Sequence, residues 1–285
     1  MQAFQHANGL TEDGTCDGRT WAALVEASWD LGDRLLYHRV PNLRGDDVAE
    51  LQRRLGRLGF DAGRVDGIFG PLTLHALEDF QRNVGLAPDG ICGYETLQAL
   101  QRLGGRTDGG RSVASVREEE VLRRVSPTLA GKRLVVGDLG GLGALARGLT
   151  KRLRALGAVV LELDEPDGSV QAGATNRFGA DLYLGLRATD GPGRFAYYAV
   201  PGFESIGGRR LAELLYDHIS TVVAPCGPAE GVRLPVLRET RMPAVLCELG
   251  PIRPVLDHAP MVTDAVVQAV STWVTTPLAA ASPTD

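Results

Sequence analysis

Asp181-Leu-Tyr-Leu-Gly-Leu-Arg-Ala-Thr-Asp190 decides how the 285-residue chain is read. Leu182 to Leu186 make a short, nearly continuous apolar run, the pattern of a strand buried on both faces, and the run stops at a cation, Arg187. Two other apolar runs stop in the same way. Leu134-Val135-Val136-Gly137 ends at Asp138, and Ala244-Val245-Leu246-Cys247 ends at Glu248. Ligands of open α/β sheets gather where the strands end, so Asp138, Arg187 and Glu248 are expected to form one polar cluster.

Around these three runs, strands alternate with helical spacing. Leu142, Leu145, Ala146, Leu149, Leu153 and Leu156 recur as on one helix face, and Gly157 closes that helix. Strands are expected at Ala158 to Leu163, Phe195 to Val200 and Val232 to Leu237. Helices are expected up to Asn176-Arg177, from Leu211 to Val222, and from Val255 to Val274. Such alternation predicts an α/β domain over residues 130–277, a mixed and largely parallel sheet with helices on both faces.

The front of the chain repeats itself. Phe4-Gln5, Gly9-Leu10, Asp13-Gly14, Cys16, Thr20 and Ala23-Leu24 align at one constant offset with Phe80-Gln81, Gly85-Leu86, Asp89-Gly90, Cys92, Thr96 and Ala99-Leu100. Residues 1–37 therefore read as the back half of a unit whose complete copy spans 43–104. In that copy Asp46 is placed to cap a helix carrying Val48, Leu51, Leu55 and Leu58. Asp66-Gly67 and Asp89-Gly90 then make turns before helices that begin near Thr73 and Thr96. Three short helices pinned by two turns give an all-α unit of roughly 60 residues, near the lower limit for independent folding. The Gly-rich and polar stretch from Gly104 to Ser112 predicts a flexible linker within 105–129, with a short helix at Glu118 to Arg124. The tail, 278–285, is small, polar and Pro-bearing, and its Thr284 beside Asp285 is a candidate phosphate acceptor.

Composition sets the outer bounds. A hydrophobic fraction of 44% with 23% charged residues is ordinary for a globular chain. A net charge of −5 with the two signs interspersed argues against nucleic acid or an anionic membrane as the main partner. No apolar run approaches the ~20 residues of a bilayer span. Met1-Gln-Ala-Phe-Gln-His lacks the basic start and apolar core of a signal peptide, so a cytoplasmic location is expected. A chain that opens halfway through a helical unit also suggests a trimmed start, which would leave export open. Cys16, Cys92, Cys226 and Cys247 are far apart and without C-x-x-C spacing, and read as small buried thiols in a reducing compartment.

The string Val48-x-x-Leu51-Gln52-x-x-Leu55, Gly59-Phe60, Asp66-Gly67-Ile68-Phe69-Gly70, Thr73, Phe80-Gln81, Gly85-Leu86, Asp89-Gly90 and Thr96 resembles the peptidoglycan-binding domain 1 family. That resemblance implies a module holding an enzyme on the cell-wall polymer. The same glycines, aspartates and threonines also shape turns and cap helices, so they speak for the fold more directly than for glycan binding. Further along, Val135-Val136-x-Asp138, Leu153-x-x-Leu156-Gly157-Ala158-x-Val160, Asn176-x-x-x-Ala180-Asp181-Leu182 and Pro243-Ala244-Val245-Leu246-Cys247-Glu248-x-Gly250 resemble the zinc N-acetylmuramoyl-L-alanine amidases of the amidase 3 type.

That family holds zinc with two His and one Glu, leaves one position for an activated water, and uses a further Glu as acid/base partner. The first His belongs in an Asp-Pro-Gly-His-Gly-Gly turn, where this chain has Asp138-Leu-Gly-Gly-Leu-Gly143. The loop that should bring the Glu ligand is shortened before Leu142. The second His belongs in Ser-x-His-x-Asn, where this chain has Gly185-Leu186-Arg187-Ala188-Thr189. Arg has no lone pair for a metal and keeps its charge. Only Glu248 matches the family's catalytic Glu, as a vestige. His38, His75, His218 and His258 lie outside family positions and read as surface or capping residues. Arg187 is expected to pair with Glu248 in the metal's former place, with Asp138 joining them. No metal or other cofactor is expected.

Degenerate amidases joined to such repeats resemble the CwlM type of cell-wall regulator. The resemblance implies control of peptidoglycan precursor synthesis, with the enolpyruvyl transferase that starts the pathway and a Ser/Thr kinase as partners, alongside peptidoglycan or its precursors. Two alternatives stay open: an active zinc-dependent amidase with unusual ligands, and a noncatalytic peptidoglycan-binding module.

Overall fold

The computed structural model describes residues 1–10, 12–104, 113–223 and 225–278, so the expected linker over 105–112 and the tail with Thr284 lie outside the described residues. The chain divides into two compact units, one of residues 1–117 with 200–203 and one of residues 118–199 with 204–285. No helix among the described residues is long and apolar enough to cross a membrane.

The first unit is helical. Helices α1 (Gln2–Ala7) and α2 (Gly18–Ala27) form the partial copy, and α3 (Asp46–Arg57), α4 (Pro71–Asn83) and α5 (Tyr94–Gly104) the complete one. Val48, Leu51 and Leu55 of α3 meet Leu77, Phe80 and Leu100 in a core that excludes water. Leu36 is fully buried in the same core, and its backbone pairs with Cys92, so the stretch before residue 43 belongs to the packed unit. Gly45, and not Asp46, is the N-cap of α3. Its neighbour Asp47 is buried and takes hydrogen bonds from Arg34 Nε at 2.7 Å and from Val48 N at 2.8 Å.

One polar clasp recurs three times. Gln52 Nε2 donates to Asp66 Oδ1 (2.8 Å), Ile68 O (3.2 Å) and Thr73 Oγ1 (3.1 Å), while Gly67 N donates to Gln52 Oε1 (2.8 Å). Gln81 repeats this with Asp89, Ile91, Thr96 and Gly90, and Gln5 with Asp13, Thr15, Thr20 and Gly14. The turn glycines Gly67, Gly90 and Gly14 all have φ between 67° and 77°, a region in which a Cβ is strained. The partial copy keeps the clasp with α1 and α2 in the places of α4 and α5, and no counterpart of α3 stands among its described residues. Phe4 and Leu24 are accordingly half-buried where Phe80 and Leu100 are fully buried.

The second unit is the α/β domain. It draws in the end of α6 (Val113–Arg123), because Leu122 and Leu129 are core residues, and it therefore begins ahead of the expected boundary at 130. The strands are β1 (Arg133–Asp138), β2 (Val159–Asp164), β3 (Leu182–Ala188), β4 (Gly193–Val200), β5 (Phe203–Glu204), β6 (Cys226–Val232) and β7 (Ala244–Leu249). Helices α7 (Gly143–Ala155), α8 (Gly168–Phe178), α9 (Ile206–Ile219), α10 (Pro235–Glu239), α11 (Ile252–Asp257) and α12 (Ala259–Thr275) complete it. The sheet order is β2-β1-β3-β7-β4-β5, with β6 beside β4; β4 runs antiparallel to β7 and the other central pairs are parallel. Because the chain moves outward from β1 to β2 and then back past β1 to β3, right-handed crossovers place α7 and α8 on opposite faces. Leu134, Val136, Leu184, Leu186, Val245 and Cys247 pack on the α7, α9 and α12 side.

Two expected elements differ. Val232 to Leu237 is not a strand: β6 lies earlier, and Pro235, which lacks an N–H and has its φ preset for a helix, opens α10. Among the described residues edge strand β6 pairs only with β4, which is why it tolerates Pro228. The closing helix is two helices that meet at His258, where Pro260 stands in the first turn of α12. Of the four cysteines, all free, Cys92 and Cys247 are buried, Cys226 is half-buried and Cys16 is exposed, contrary to the expectation for all four. Burial pushes the Cys92 thiol up to about 12.

Candidate active site

Strand register brings the site together. Arg187 of β3 and Glu248 of β7 are direct partners across a parallel pair, and Arg194 of β4 is the direct partner of Glu248 across the antiparallel pair. Residues in register project from the same face, so the three side chains lie in a row at the strand ends. Arg187 Nε donates to Glu248 Oε1 at 2.9 Å, and Nη2 contacts the same oxygen. Arg194 Nε donates to Glu248 Oε2 at 2.5 Å, and its Nη1 reaches Glu230 Oε2 of β6 at 3.3 Å. Both carboxylate oxygens of Glu248 are therefore committed to guanidinium groups.

Asp138 does not join this row. Its register partner on β3 is Leu186, one residue short of Arg187, so its side chain leaves from the opposite face of the sheet. There Asp138 Oδ1 accepts hydrogen bonds from Gly140 N (2.9 Å) and Leu142 N (3.2 Å) and fixes the turn into α7. Arg194 takes the place expected for Asp138. Its signal in the sequence was only a charge one residue ahead of the expected strand at Phe195, and no pattern in the chain announces the pairing of β4 with β7.

The electrostatics follow from the row. Burial pushes the Glu248 carboxyl up, but the hydrogen bond from Arg194 and the charge of Arg187 together outweigh it and hold the group below its ordinary value of 4.5. Glu248 is consequently a fixed anion at neutral pH. A proton-transfer group for amide cleavage works best with a pKa near the operating pH, which this environment opposes.

The zinc that the amidase 3 resemblance implies does not fit these residues. At the position of the first His stands Gly141, with φ +86° and its would-be Cβ 2.7 Å from Ala188 Cβ. At the second stands Arg187, already bound to Glu248. No acidic residue lies between Asp138 and α7. His218 is half-buried within α9, and His258 is exposed, with its Nδ1 2.9 Å from Pro254 O. Among the described residues no three His, Cys, Asp or Glu side chains form a group that could hold a metal.

Comparison with known proteins agrees with both halves of this architecture. Residues 44–100 match the family profile of a peptidoglycan binding domain. Over 95% of its length the chain is 37% identical to N-acetylmuramoyl-L-alanine amidase CwlM of Mycobacterium tuberculosis, of which it covers 75%. This chain belongs to the N-acetylmuramoyl-L-alanine amidase family. The amidase-family chain is also 52% identical over 56 residues to a spore cortex-lytic enzyme of Bacillus cereus, covering 20% of this chain and 22% of that protein. Among solved structures, the amidase AmiC2 of Nostoc punctiforme is 19% identical, with 51% of this chain and 98% of that one covered and a TM-score of 0.42. Ami1 of Mycobacterium smegmatis is 15% identical, with 52% and 98% covered and a TM-score of 0.43. As an amidase-family member with a peptidoglycan-binding domain, the chain has a cell-wall-related role.

Proposed function

We propose that this chain is a noncatalytic member of the amidase family that regulates or scaffolds peptidoglycan synthesis. The observation that carries the reading is Glu248 clamped between Arg187 and Arg194. Amide hydrolysis needs a polarised carbonyl and an activated water as well as proton transfer. The site offers one ionised carboxylate whose oxygens are both engaged, and a glycine and an arginine where the two histidine ligands would be. Such a regulator would work in the cytoplasm on precursor synthesis, with the enolpyruvyl transferase of that pathway as its target. A Ser/Thr kinase acting on the C-terminal tail, with Thr284 as acceptor, would set its state. Purified protein incubated with muropeptides should release no stem peptide, with or without added zinc, and should retain no stoichiometric zinc after dialysis. Release of stem peptide would establish the active amidase instead. The transferase and kinase proposals are tested by measuring precursor flux and partner binding with phosphorylated and unphosphorylated protein, which should differ.

The peptidoglycan-binding domain at 44–100 supports a second reading, in which the chain reads the assembled polymer without cutting it. Sedimentation with insoluble peptidoglycan measures that directly and separates this reading from a cytoplasmic regulator.

A further inference from the structure

A cavity of about 270 Å³ opens in the helical unit between residues 32–35 and the start of α5. Residues 32–35 precede the family-matched span, so this wall is not supplied by the shared repeat. Below it, Cys92 N donates to Leu36 O at 2.8 Å, and both residues are buried. Gly32 has φ +118°, and a Cβ there would stand 2.9 Å from the Leu97 side chain, so the wall reaches α5 this closely because it has no side chain at that point.

The rim carries two apolar groups that the fold leaves in water: Tyr94 is 74% exposed and Leu35 is 58% exposed. Tyr94 is not loose, because its Oη accepts a hydrogen bond from Gln98 Nε2 at 2.6 Å, one turn along α5. The polar part of the lining is equally fixed. The Arg34 guanidinium lies 4.7 Å from the centre of the Trp29 ring and is bound to the buried Asp47, and Asp33 Oδ2 accepts from Asp30 N at 2.8 Å. With Arg34 neutralised by Asp47 and Asp33 carrying a charge of its own, the cavity has no surplus positive charge to take a carboxylate-bearing peptide. A pyranose ring presents the complementary surfaces: a face of C–H groups that packs on an aromatic ring and an aliphatic chain, and an edge of polar groups for fixed donors and acceptors. The volume sits just below the usual range for ligand sites of about 300 to 1,000 Å³, which suits one sugar ring better than an extended chain.

We infer that this cavity binds a single hexosamine ring of the peptidoglycan glycan. Tyr94 and Leu35 lie against its C–H face, and Asp33 and Arg34 meet its hydroxyl or acetamido groups. The assignment rests on the reading that the helical unit binds peptidoglycan. The test is sedimentation of the full chain with insoluble peptidoglycan. The variants are Tyr94→Ala, Tyr94→Phe and, at a separate concavity lined by Phe60, Asp79, Arg82 and Asn83, Arg82→Ala. Tyr94→Ala should weaken retention about tenfold while its thermal melt matches the wild type, since the side chain is exposed. Tyr94→Phe, which keeps the ring, should stay within about twofold, and Arg82→Ala should be unchanged. Soluble N-acetylglucosamine oligomers should compete, and free stem peptide should not. The assignment is overturned by full retention in Tyr94→Ala, by loss in Arg82→Ala instead, or by competition from peptide alone. Failure of the wild type to sediment removes the peptidoglycan reading itself, and the cavity assignment with it.

Discussion

Arg187 and Glu248 share one register position on adjacent parallel strands, and the guanidinium Nε lies 2.9 Å from Glu248 Oε1. Arg194 closes on the other carboxylate oxygen from the antiparallel side. Three strands are thereby tied at their ends by one anion between two cations, in the place where the resemblance puts a metal.

Glu248→Gln should therefore destabilise the α/β unit, since it leaves two guanidiniums facing each other without an anion between them. Breaking a fully buried pair costs about 3–5 kcal/mol; with the arginines partly in water, a loss of about 2 kcal/mol is expected. The sign of the pH dependence follows from the depressed carboxyl. The clamp's contribution is complete above the unfolded value, near 4.5, and is lost as pH falls through the lower folded value. Urea midpoints measured as pH falls below 4.5 should drop more steeply in the wild type than in Glu248→Gln.

Arg187→His should neither restore zinc nor create amidase activity. The new imidazole would be one of the three ligands: Gly141 stands at the other His position, no acid lies between Asp138 and α7 to replace the Glu ligand, and Glu248 is still held by Arg194. Metal analysis after dialysis against zinc, with an assay for released stem peptide, checks both statements.

The strand ends were legible in the sequence because a run such as Leu182 to Leu186 leaves little choice but a buried strand, and the charge after it marks where burial stops. Which charges meet was not legible. Asp138 and Arg187 each follow an apolar run, yet a register offset of one residue sends them to opposite faces, and register is a property of pairing between distant segments. Arg194 was missed for the same reason. In the helical unit the Gln, Asp-Gly and Thr positions stood out as a repeat, but that each Gln side chain joins its turn to the next helix needed coordinates. Pro235 was a readable helix start that the apolar residues around it obscured.

The clasps predict a graded response. Gln52→Ala or Gln81→Ala would strand a buried glycine N–H and unlink the turn from the next helix, while the turn carbonyl and the threonine hydroxyl keep their other partners, at a cost of about 2 kcal/mol. Gln5→Ala removes the same bonds in the partial copy, where Trp21 is 63% exposed and no counterpart of α3 stands among the described residues. Its effect on the main helical transition should be under about 0.5 kcal/mol. Chemical denaturation followed by far-UV circular dichroism separates the two outcomes.

Gly141→His tests whether the turn has lost its capacity for a ligand as well as the ligand. At φ +86° a non-glycine residue is strained by about 1–3 kcal/mol, and its Cβ would meet Ala188 Cβ at 2.7 Å. The two costs can be told apart, because Ala188→Gly removes the contact and leaves the backbone angle. The single variant should lose more stability than Gly141→His with Ala188→Gly, and the double variant should still melt below Ala188→Gly alone by the backbone term. If Gly141→His instead melted like the wild type and bound zinc once Arg187→His was added, the turn would have kept its ligand-bearing geometry and the clamp would be a reversible replacement for the metal.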